Sequence, residues 1–188
     1  PVHSRVTTPS AFATGKTKRV PVKASNPVFQ EDVFAQQYYE AQDNGDKRIY
    51  NQIDLENKGG LVWIKSVGNT QNSPMIWMDS LQGVGKYWEC GETYSQTDAN
   101  SLKSFNTDGF TVGQGNSWND GGSKNYMSYT FAKQEKFFTL LQYTGNGNSP
   151  REIEHDLGCV PGMIVVKSNS DVGPNGTHYN SWVTWHRG

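Results

Sequence analysis

Two segments of nearly identical sequence place the strongest constraint on the fold of this chain: GGLVWIKS at 59–66 and PGMIVVKS at 161–168, 102 positions apart. An Asn-Gly pair recurs in the same register, at 44–45 and 146–147. Strands and turns that repeat at one offset are typical of a duplicated supersecondary unit. LVWIK and MIVVK are continuous apolar runs that end in lysine, and such runs predict strands that are buried on both faces.

The segments around these two strands recur as well. VFAQQYYEA has a counterpart in FFTLLQYTG, which begins at Phe137, and both predict strands; each copy then reaches a tryptophan, Trp77 or Trp185. After Trp77 the first copy continues through further strand candidates separated by Gly, Asn and Asp. We therefore expect one complete β unit at residues 33–133 and the first half of a second, homologous unit at 134–188.

Composition and turn patterns favour an all-β fold. The chain has 20 glycines and 12% aromatic residues, a mixture that suits short strands and tight turns. TDGF predicts a β-hairpin with its turn at Asp108-Gly109, and YMSYTFAK alternates in the manner of a strand with one buried face. We expect an antiparallel β-sandwich of jelly-roll or lectin-like kind, with Trp63, Trp77 and Trp185 in its core.

Residues 1–32 differ in charge from the rest of the chain. No acidic residue precedes Glu31, while five cations do: Arg5, Lys16, Lys18, Arg19 and Lys23. Prolines disfavour helix in this segment, so we expect either a disordered tail or an extended basic arm that orders on a partner. In the second case the five cations anchor the protein to that partner. Phe12 is the single aromatic residue among the cations, and one ring is a poor stacking platform for nucleic acid.

Nothing in the sequence indicates an enzyme. Asp79, Glu89 and Glu92 are candidate carboxylates for glycoside hydrolysis, but their spacing does not single them out, and turn or surface positions explain them better. The four histidines form no metal-binding pattern, and the sequence contains no nucleophile elbow, P-loop or dinucleotide fingerprint. We therefore expect no catalytic residue, no metal and no cofactor.

The cysteines and the hydropathy pattern bear on the compartment. Cys90 and Cys159 have no CxxC spacing, and we expect two reduced, partly buried thiols. No apolar run approaches the roughly 18 residues of a membrane span, and the N-terminus lacks the apolar region of a secretory signal. These features predict assembly in a cytoplasm and no membrane partner.

Glycan binding is a second class of function that the sequence allows. Sugar recognition uses an exposed aromatic plane next to amide and carboxylate groups. Two stretches supply such groups, and their candidate residues are Tyr87, Trp88, Trp118, Asn119 and Asp120. Trp118 lies among four glycines, which predicts a loop tip. The alternative is that Trp118 folds back over the edge of the sandwich.

Longer stretches of the sequence resemble a known family. GGLVWIKS, SFNTDGFTVG, NYMSYTFAKQEKFF, YTGNGNSPREIEHDLGCVPGMIVVKS and WVTWHR are similar to a repeated β domain of tailed-phage virion proteins, notably those of phages of marine cyanobacteria. The resemblance covers residues 33–188 and implies concanavalin-like sandwiches that serve as surface modules. The family's unit continues through several more strands after the one that corresponds to WVTWHR, and here the sequence departs from the pattern.

These observations together predict a non-enzymatic structural protein of a phage virion, assembled in the host cytoplasm. Its arm would anchor it to capsid or tail proteins, and its sandwiches would project from the particle as a homo-oligomer or in many copies, as in a capsid decoration protein. The alternative is a tail-fibre or adsorption protein that binds a host-surface glycan, although the chain shows no heptads for a trimeric fibre. A carbohydrate-active enzyme on a similar sandwich is the third class.

Overall fold

A computed structural model describes residues 27–68, 73–92, 95–169 and 182–188. These residues form antiparallel strands, one short α-helix and one 3-10 helix. None of the helices they form is long and apolar enough to cross a membrane. The predicted basic arm lies outside the described residues up to position 26, and this includes all five of its cations.

The strands are short, and turns or brief helices connect most of them. In chain order the strands are β1 Phe34–Glu40, β2 Lys47–Tyr50, β3 Gly60–Val67, β4 Ile76–Asp79, β5 Lys86–Glu89, β6 Gln96–Thr97, β7 Leu102–Asn106, β8 Gly109–Val112, β9 Asn125–Ala132, β10 Met163–Lys167 and β11 Trp182–His186. The 3-10 helix spans Gln30–Asp32 and helix α1 spans Leu55–Lys58. Asp54 caps α1, because its carboxylate accepts a hydrogen bond from the backbone N–H of Asn57 at 3.0 Å.

Strands β1 to β9 form a sandwich of two layers. One layer is a six-stranded sheet in the order β1-β9-β3-β4-β5-β6, and the other is a three-stranded sheet in the order β2-β8-β7. Every pairing in both sheets is antiparallel. The predicted all-β antiparallel sandwich is therefore confirmed. These strands all lie within the range expected for the first unit, 33–133.

The core lies between the two sheets. Side chains along a strand alternate between its faces: Tyr126, Ser128 and Thr130 of β9 are fully buried, whereas Met127 and Tyr129 point outward. This pattern confirms the alternation predicted for YMSYTFAK. The apolar core cluster consists of Tyr39, Ile49, Ile53, Leu55, Val62, Ile64, Ile76, Met78, Leu102, Phe110, Val112, Trp118, Tyr126 and Ala132. Complete burial of one large apolar side chain stabilises a fold by about 1.5–3 kcal/mol.

A buried amide links the region after β2 to the opposite sheet. The Nδ2 group of Asn51 donates to Oγ1 of Thr130 at 2.8 Å, and its Oδ1 accepts from the backbone N–H of Ile53 at 3.1 Å. Because both ends of the amide have partners, the cost of removing it from water is offset. The geometry of these bonds fixes how the two layers meet at this point.

The TDGF hairpin forms, but its turn lies one residue earlier than predicted. Strands β7 and β8 pair with Asn106 opposite Gly109, which leaves Thr107 and Asp108 as the turn residues. Gly109 has φ +147°, and a Cβ atom there would lie 2.1 Å from the carbonyl oxygen of Ile49 in β2. The close approach of β2, rather than the turn, therefore requires glycine at this position.

The second unit contributes the β10–β11 hairpin, which is the counterpart of β3–β4. Its register does not match the two tryptophans in the predicted way. Trp185 lies opposite Ile164, the counterpart of Val62, and Val62 lies opposite Met78 rather than Trp77. Trp185 thus occupies the position of Met78. It is also 50% exposed, so the prediction that it is a core residue is wrong.

Two other predictions for the second unit are wrong. FFTLLQYTG is not a strand, and residues 139–162 contain no helix or strand. In the first unit the corresponding strand, β1, is held by β9, and the described residues of the second unit contain no counterpart of β9. MIVVK is not buried on both faces, since Met163 is 62% exposed. A strand needs neighbours in its sheet and a covering layer to satisfy its backbone and bury its apolar side chains.

The two cysteines lie in different units. Both Cys90 and Cys159 are free thiols, and both are exposed. Both are more exposed than we expected, although desolvation still acts on the Cys90 thiol.

Candidate functional site

The side of the six-stranded sheet that faces away from the core carries a group of aromatic side chains. Since Val62 and Ile64 point into the core, Trp63 of β3 points away from it, as does Trp77, which lies opposite Trp63 on β4. We call this surface the outer aromatic face, and its rings on the sheet are those of Phe34, Trp63, Trp77, Trp88, Tyr129 and Phe131. The prediction that Trp63 and Trp77 belong to the sandwich core is therefore wrong, because both are half-buried on the other side of the sheet.

Ring contacts extend across the outer aromatic face. The ring centroid of Trp63 lies 5.7 Å from that of Trp77 and 6.4 Å from that of Tyr129. Near the end of β9, the Phe131 ring lies 5.5 Å from that of Phe138, at the start of the second unit. Tilted ring pairs at such distances are worth about 0.5–1.5 kcal/mol each beyond the area they bury. The face thus carries two groups of rings in contact, one around Trp63 and one around Phe131.

The hairpin of the second unit packs on the tryptophan side of this face. The ring of Trp182, in β11, lies 5.0 Å from that of Trp77 and 6.3 Å from that of Trp88. Lys167 pairs with Trp182 across the hairpin, and its Nζ lies 5.5 Å from the ring centre of Trp88 and 5.9 Å from that of Trp182. The same Nζ donates to the carbonyl oxygen of Glu92 at 3.1 Å. We call Trp77, Trp88, Trp182 and Lys167 the tryptophan clamp.

Burial determines the electrostatics of the clamp. Desolvation lowers the pKa of Lys167, and the nearby Cys90 partly opposes this effect. Desolvation also raises the pKa of Cys90, which keeps that thiol protonated and weakly nucleophilic. An ammonium group over aromatic rings gains about 0.5–1 kcal/mol by cation–π attraction at an exposed site. Within the clamp, the ammonium group of Lys167 therefore lies against two indole rings.

Two indole N–H groups on the outer aromatic face have no hydrogen-bond partner among the described residues. They are the buried Nε1 groups of Trp63 and Trp182. A buried donor without a partner costs about 1–3 kcal/mol. Ring packing must therefore outweigh this cost for the hairpin to stay on the sheet.

The five residues predicted to bind a glycan do not share a surface. Trp88 is part of the clamp and is 7% exposed, while Tyr87 points to the core side of the sheet and packs edge-on against Trp118 at 5.0 Å. Trp118 is 3% exposed, and its Nε1 donates to the carbonyl oxygen of Asn100 at 3.0 Å. The prediction of an exposed Trp118 at a loop tip is wrong, and the alternative that the ring folds back is confirmed, because the ring buries its apolar area in the core.

Asn119 and Asp120 also use their side chains within the first unit. Asn119 is fully buried. Its Oδ1 accepts from the backbone N–H of Gln42 at 2.7 Å, and its Nδ2 donates to two glycine carbonyl oxygens at 3.1 and 3.2 Å. Asp120 forms an ion pair with Lys124. Asn119 therefore ties its loop to the segment after β1, which is a structural task.

The three carboxylates considered for glycoside hydrolysis have structural surroundings. The Oδ1 of Asp79 accepts from the backbone N–H groups of Leu81 and Gln82 at 2.9 and 3.0 Å and so caps the turn after β4. Glu89 lies in β5, next to Trp88. Burial, and secondarily the charge of Glu92, raise the pKa of Glu89. That raised pKa has a structural cause and does not indicate a catalytic acid by itself.

Sequence reasoning missed Trp182 and Lys167 as partners of the first unit. A signal was present, since Lys65 and Lys167 end the two repeated strands at equivalent positions. In the first unit, the Nζ of Lys65 donates to the carbonyl oxygen of Ser73. In the second unit, the equivalent lysine lies over Trp88 of the neighbouring unit and Trp182 of its own hairpin. Strand periodicity shows which residues share a face, but not which unit will cover that face.

Among the described residues, no group of three or more His, Cys, Asp or Glu side chains is placed to hold a metal ion. No curated protein matches the sequence. No solved structure matches it either. The model of one family does match, from residue 31, beside the predicted end of the basic arm, to residue 188. The chain therefore belongs to this family, described as a domain of unknown function, DUF7483.

Proposed function

We propose that this protein is a non-enzymatic structural component of a tailed-phage virion, a capsid decoration protein that is anchored by its N-terminal arm. The observation that carries this proposal is the tryptophan clamp. It fastens the hairpin of the second unit to the outer aromatic face of the first unit, with the Trp182 ring 5.0 Å from that of Trp77. Units joined in this way can project from a surface as a stiff series, which is what a decoration protein requires.

The use of polar groups supports a structural role. The side chains of Asn51 and Asn119 form hydrogen bonds with neighbouring strands and loops, and the side chain of Asp79 caps a turn. The clamp holds a lysine against rings and leaves the thiol of Cys90 with a raised pKa. Catalytic sites instead combine a poised acid, base or nucleophile with an open pocket. Polar side chains committed to internal bonds favour a scaffold over an enzyme.

Charge supports an anchoring arm. Residues 1–30 carry five positive and no negative charges, while the whole chain has a net charge of −1, so the remainder is acidic. A basic segment next to an acidic body is suited to an acidic partner surface at close range, because charges further apart than about 8 Å are screened at physiological salt. The resemblance of residues 33–188 to a virion β domain supports a phage particle as the source of that surface.

The test is a cryo-electron density map of the phage particle that carries this protein. We expect sandwich-shaped density that protrudes from the head lattice, and loss of that density in a phage whose copy lacks residues 1–30. This deletion should leave the sandwich folded, because β1 to β9 begin at Phe34. Density confined to the tail would refute a decoration role and favour an adsorption protein. Absence of the chain from the particle would refute the virion role.

A matched variant separates charge from chain length in the arm. Replacing the five arm cations by glutamine keeps the length of the arm and removes its charge. If the cations anchor the protein, this variant should occupy fewer sites on the particle than the wild type, and raised salt should weaken the wild type in the same direction. Equal occupancy at every salt concentration would contradict electrostatic anchoring.

A further inference from the structure

The β10–β11 hairpin has two faces, and the clamp holds the Lys167–Trp182 end of one of them. Trp182 lies on that face. Alternation along both strands places four apolar side chains on the opposite face, which we call the open face. They are Ile164, Val166, Val183 and Trp185. Ile164 is 43% exposed, Val183 61% and Trp185 50%. Contiguous exposed apolar side chains mark an interaction surface.

The open face is the counterpart of a face that the first unit buries. The repeat offset and the strand register together assign each of its four side chains an equivalent position in β3 or β4. For Ile164, Val166, Val183 and Trp185 these positions are, in order, Val62, Ile64, Ile76 and Met78. All four of the latter are 0% exposed and belong to the core cluster. The second unit therefore leaves three of these positions exposed and Val166 partly buried, where the first unit buries all four completely.

In the first unit, the second layer of the sandwich covers these positions. Sheet β2-β8-β7 supplies Ile49, Leu102, Phe110 and Val112 to the same core cluster, each at most 3% exposed. A two-stranded hairpin is marginally stable without a further layer or more strands. An apolar sheet face is stable when a second layer of secondary structure packs on it.

We propose that the open face is a docking site for an antiparallel β-layer of the kind formed by β2, β8 and β7, so that the hairpin is one half of a second sandwich core. The occupant is a β segment of this family's own type, with Leu, Phe and Val side chains that point toward the hairpin. None of the four open-face side chains is charged. Recognition therefore depends on apolar area and shape, as when two sheets stack about 10 Å apart.

One position distinguishes the layer that fits the second unit from that of the first. Trp185 stands where the first unit has Met78, and it is the larger side chain. Val166 and Val183 are each one methylene smaller than their counterparts. Overpacking a core costs about 1–3 kcal/mol. The layer that docks on the natural open face should therefore carry a smaller side chain opposite Trp185 than the first unit carries opposite Met78.

The experiment completes the second unit within one chain. Residues 186–188 are replaced by a second copy of 79–133, because His186 holds the register position of Asp79. Trp185→Met is added to remove the overpacking. Hydrogen exchange is followed by mass spectrometry on peptides that cover 163–167 and 182–184, whose sequences occur once in the extended chain. We expect protection of these amides to rise at least about tenfold over the 188-residue chain, together with a loss of apolar-dye binding.

The control carries Phe110→Asp in the added copy only. It places a charge in the new core, so the gain at 163–167 should vanish, while protection of β3 in the first unit stays unchanged. An added copy that leaves the hairpin unprotected overturns the proposal. So does a 188-residue chain whose hairpin is already protected in a concentration-dependent dimer that Val183→Asp dissociates, since the occupant is then a second copy. These outcomes do not depend on whether the protein resides on a virion.

Discussion

Replacing Trp182 by alanine should release the hairpin of the second unit while leaving the first sandwich folded. The substitution removes ring contacts with Trp77 at 5.0 Å and with Trp88 at 6.3 Å, and a cation–π contact with Lys167 at 5.9 Å. Two aromatic contacts contribute about 1 kcal/mol each, and the cation–π contact about 0.5–1 kcal/mol. The substitution therefore removes roughly 2.5–3 kcal/mol of docking free energy.

One opposing effect reduces that figure. The buried Nε1 of Trp182 has no partner among the described residues, and removing an unpaired donor relieves a cost of about 1 kcal/mol at the lower end of its usual range. A net loss of about 1.5–2 kcal/mol remains. Because 1.4 kcal/mol is a factor of ten in an equilibrium constant, the opening equilibrium of the hairpin should rise about 10- to 30-fold.

Hydrogen exchange measures this opening directly. The amides of β10 and β11 should exchange about 10- to 30-fold faster in the Trp182→Ala protein, while the urea midpoint of the sandwich changes little, because local and global opening are separate equilibria. Trp185→Ala is the matched control, since Trp185 lies on the same strand, is 50% exposed and takes no part in the clamp. Equal acceleration by both substitutions would refute the clamp reasoning, as would a large fall in the urea midpoint with Trp182→Ala.

Three further predictions concern the first unit. Gly109→Ala should lower the free energy of unfolding by at least about 1–3 kcal/mol, since φ is +147° and a Cβ would meet β2 at 2.1 Å; urea unfolding checks this, with Gly145→Ala as a control that should change little. Asn119→Ala should lower the free energy of unfolding by about 3 kcal/mol or more, because it leaves buried hydrogen-bonding groups without a partner. The side chain of Asn116 is exposed, so an equal loss with Asn116→Ala would contradict this prediction. Because the pKa of Glu89 is raised in the fold, its ionisation costs stability as pH rises above about 4.3. The melting temperature of Glu89→Gln relative to that of the wild type should therefore rise between about pH 4 and pH 7. A difference in melting temperature that does not change with pH would contradict this prediction.

Much of the sandwich could be predicted from the sequence because its strands follow simple alternation. In β9, the polar Ser128 and Thr130 share one face with Tyr126, and the pattern predicted that sharing without showing which face is buried. The buried face is the one that carries Thr130, because the side chain of Asn51 hydrogen-bonds to Thr130 inside the core. Asn51 is far from Thr130 in sequence, so no local pattern points to the pair.

The candidate site was harder to predict because it depends on contacts between units. Trp118 has the sequence surroundings of a loop tip, yet its ring packs in the core and the carbonyl oxygen of Asn100 accepts its N–H. Trp63 lies in an apolar run that suits a core strand, but the alternation of side chains along β3 places it on the outer aromatic face. The partner of Trp88, Trp182, follows it by more than 90 positions. Local propensity contains no term for such distant packing.

The clamp and the strandless connection between the units have a mechanical consequence. Tension applied at β11 loads the clamp and the open end of the β10–β11 ladder, which can separate a few contacts at a time, whereas the ladders of the sandwich resist with many backbone hydrogen bonds. When the clamp yields, residues 133–162 straighten and lengthen the protein by at most about 100 Å, at roughly 3.3–3.6 Å per residue, before the load reaches β9. The hairpin stays covalently attached, so the clamp re-forms when the tension falls. The contact between the hairpin and the sandwich therefore opens reversibly under tension before the sandwich unfolds.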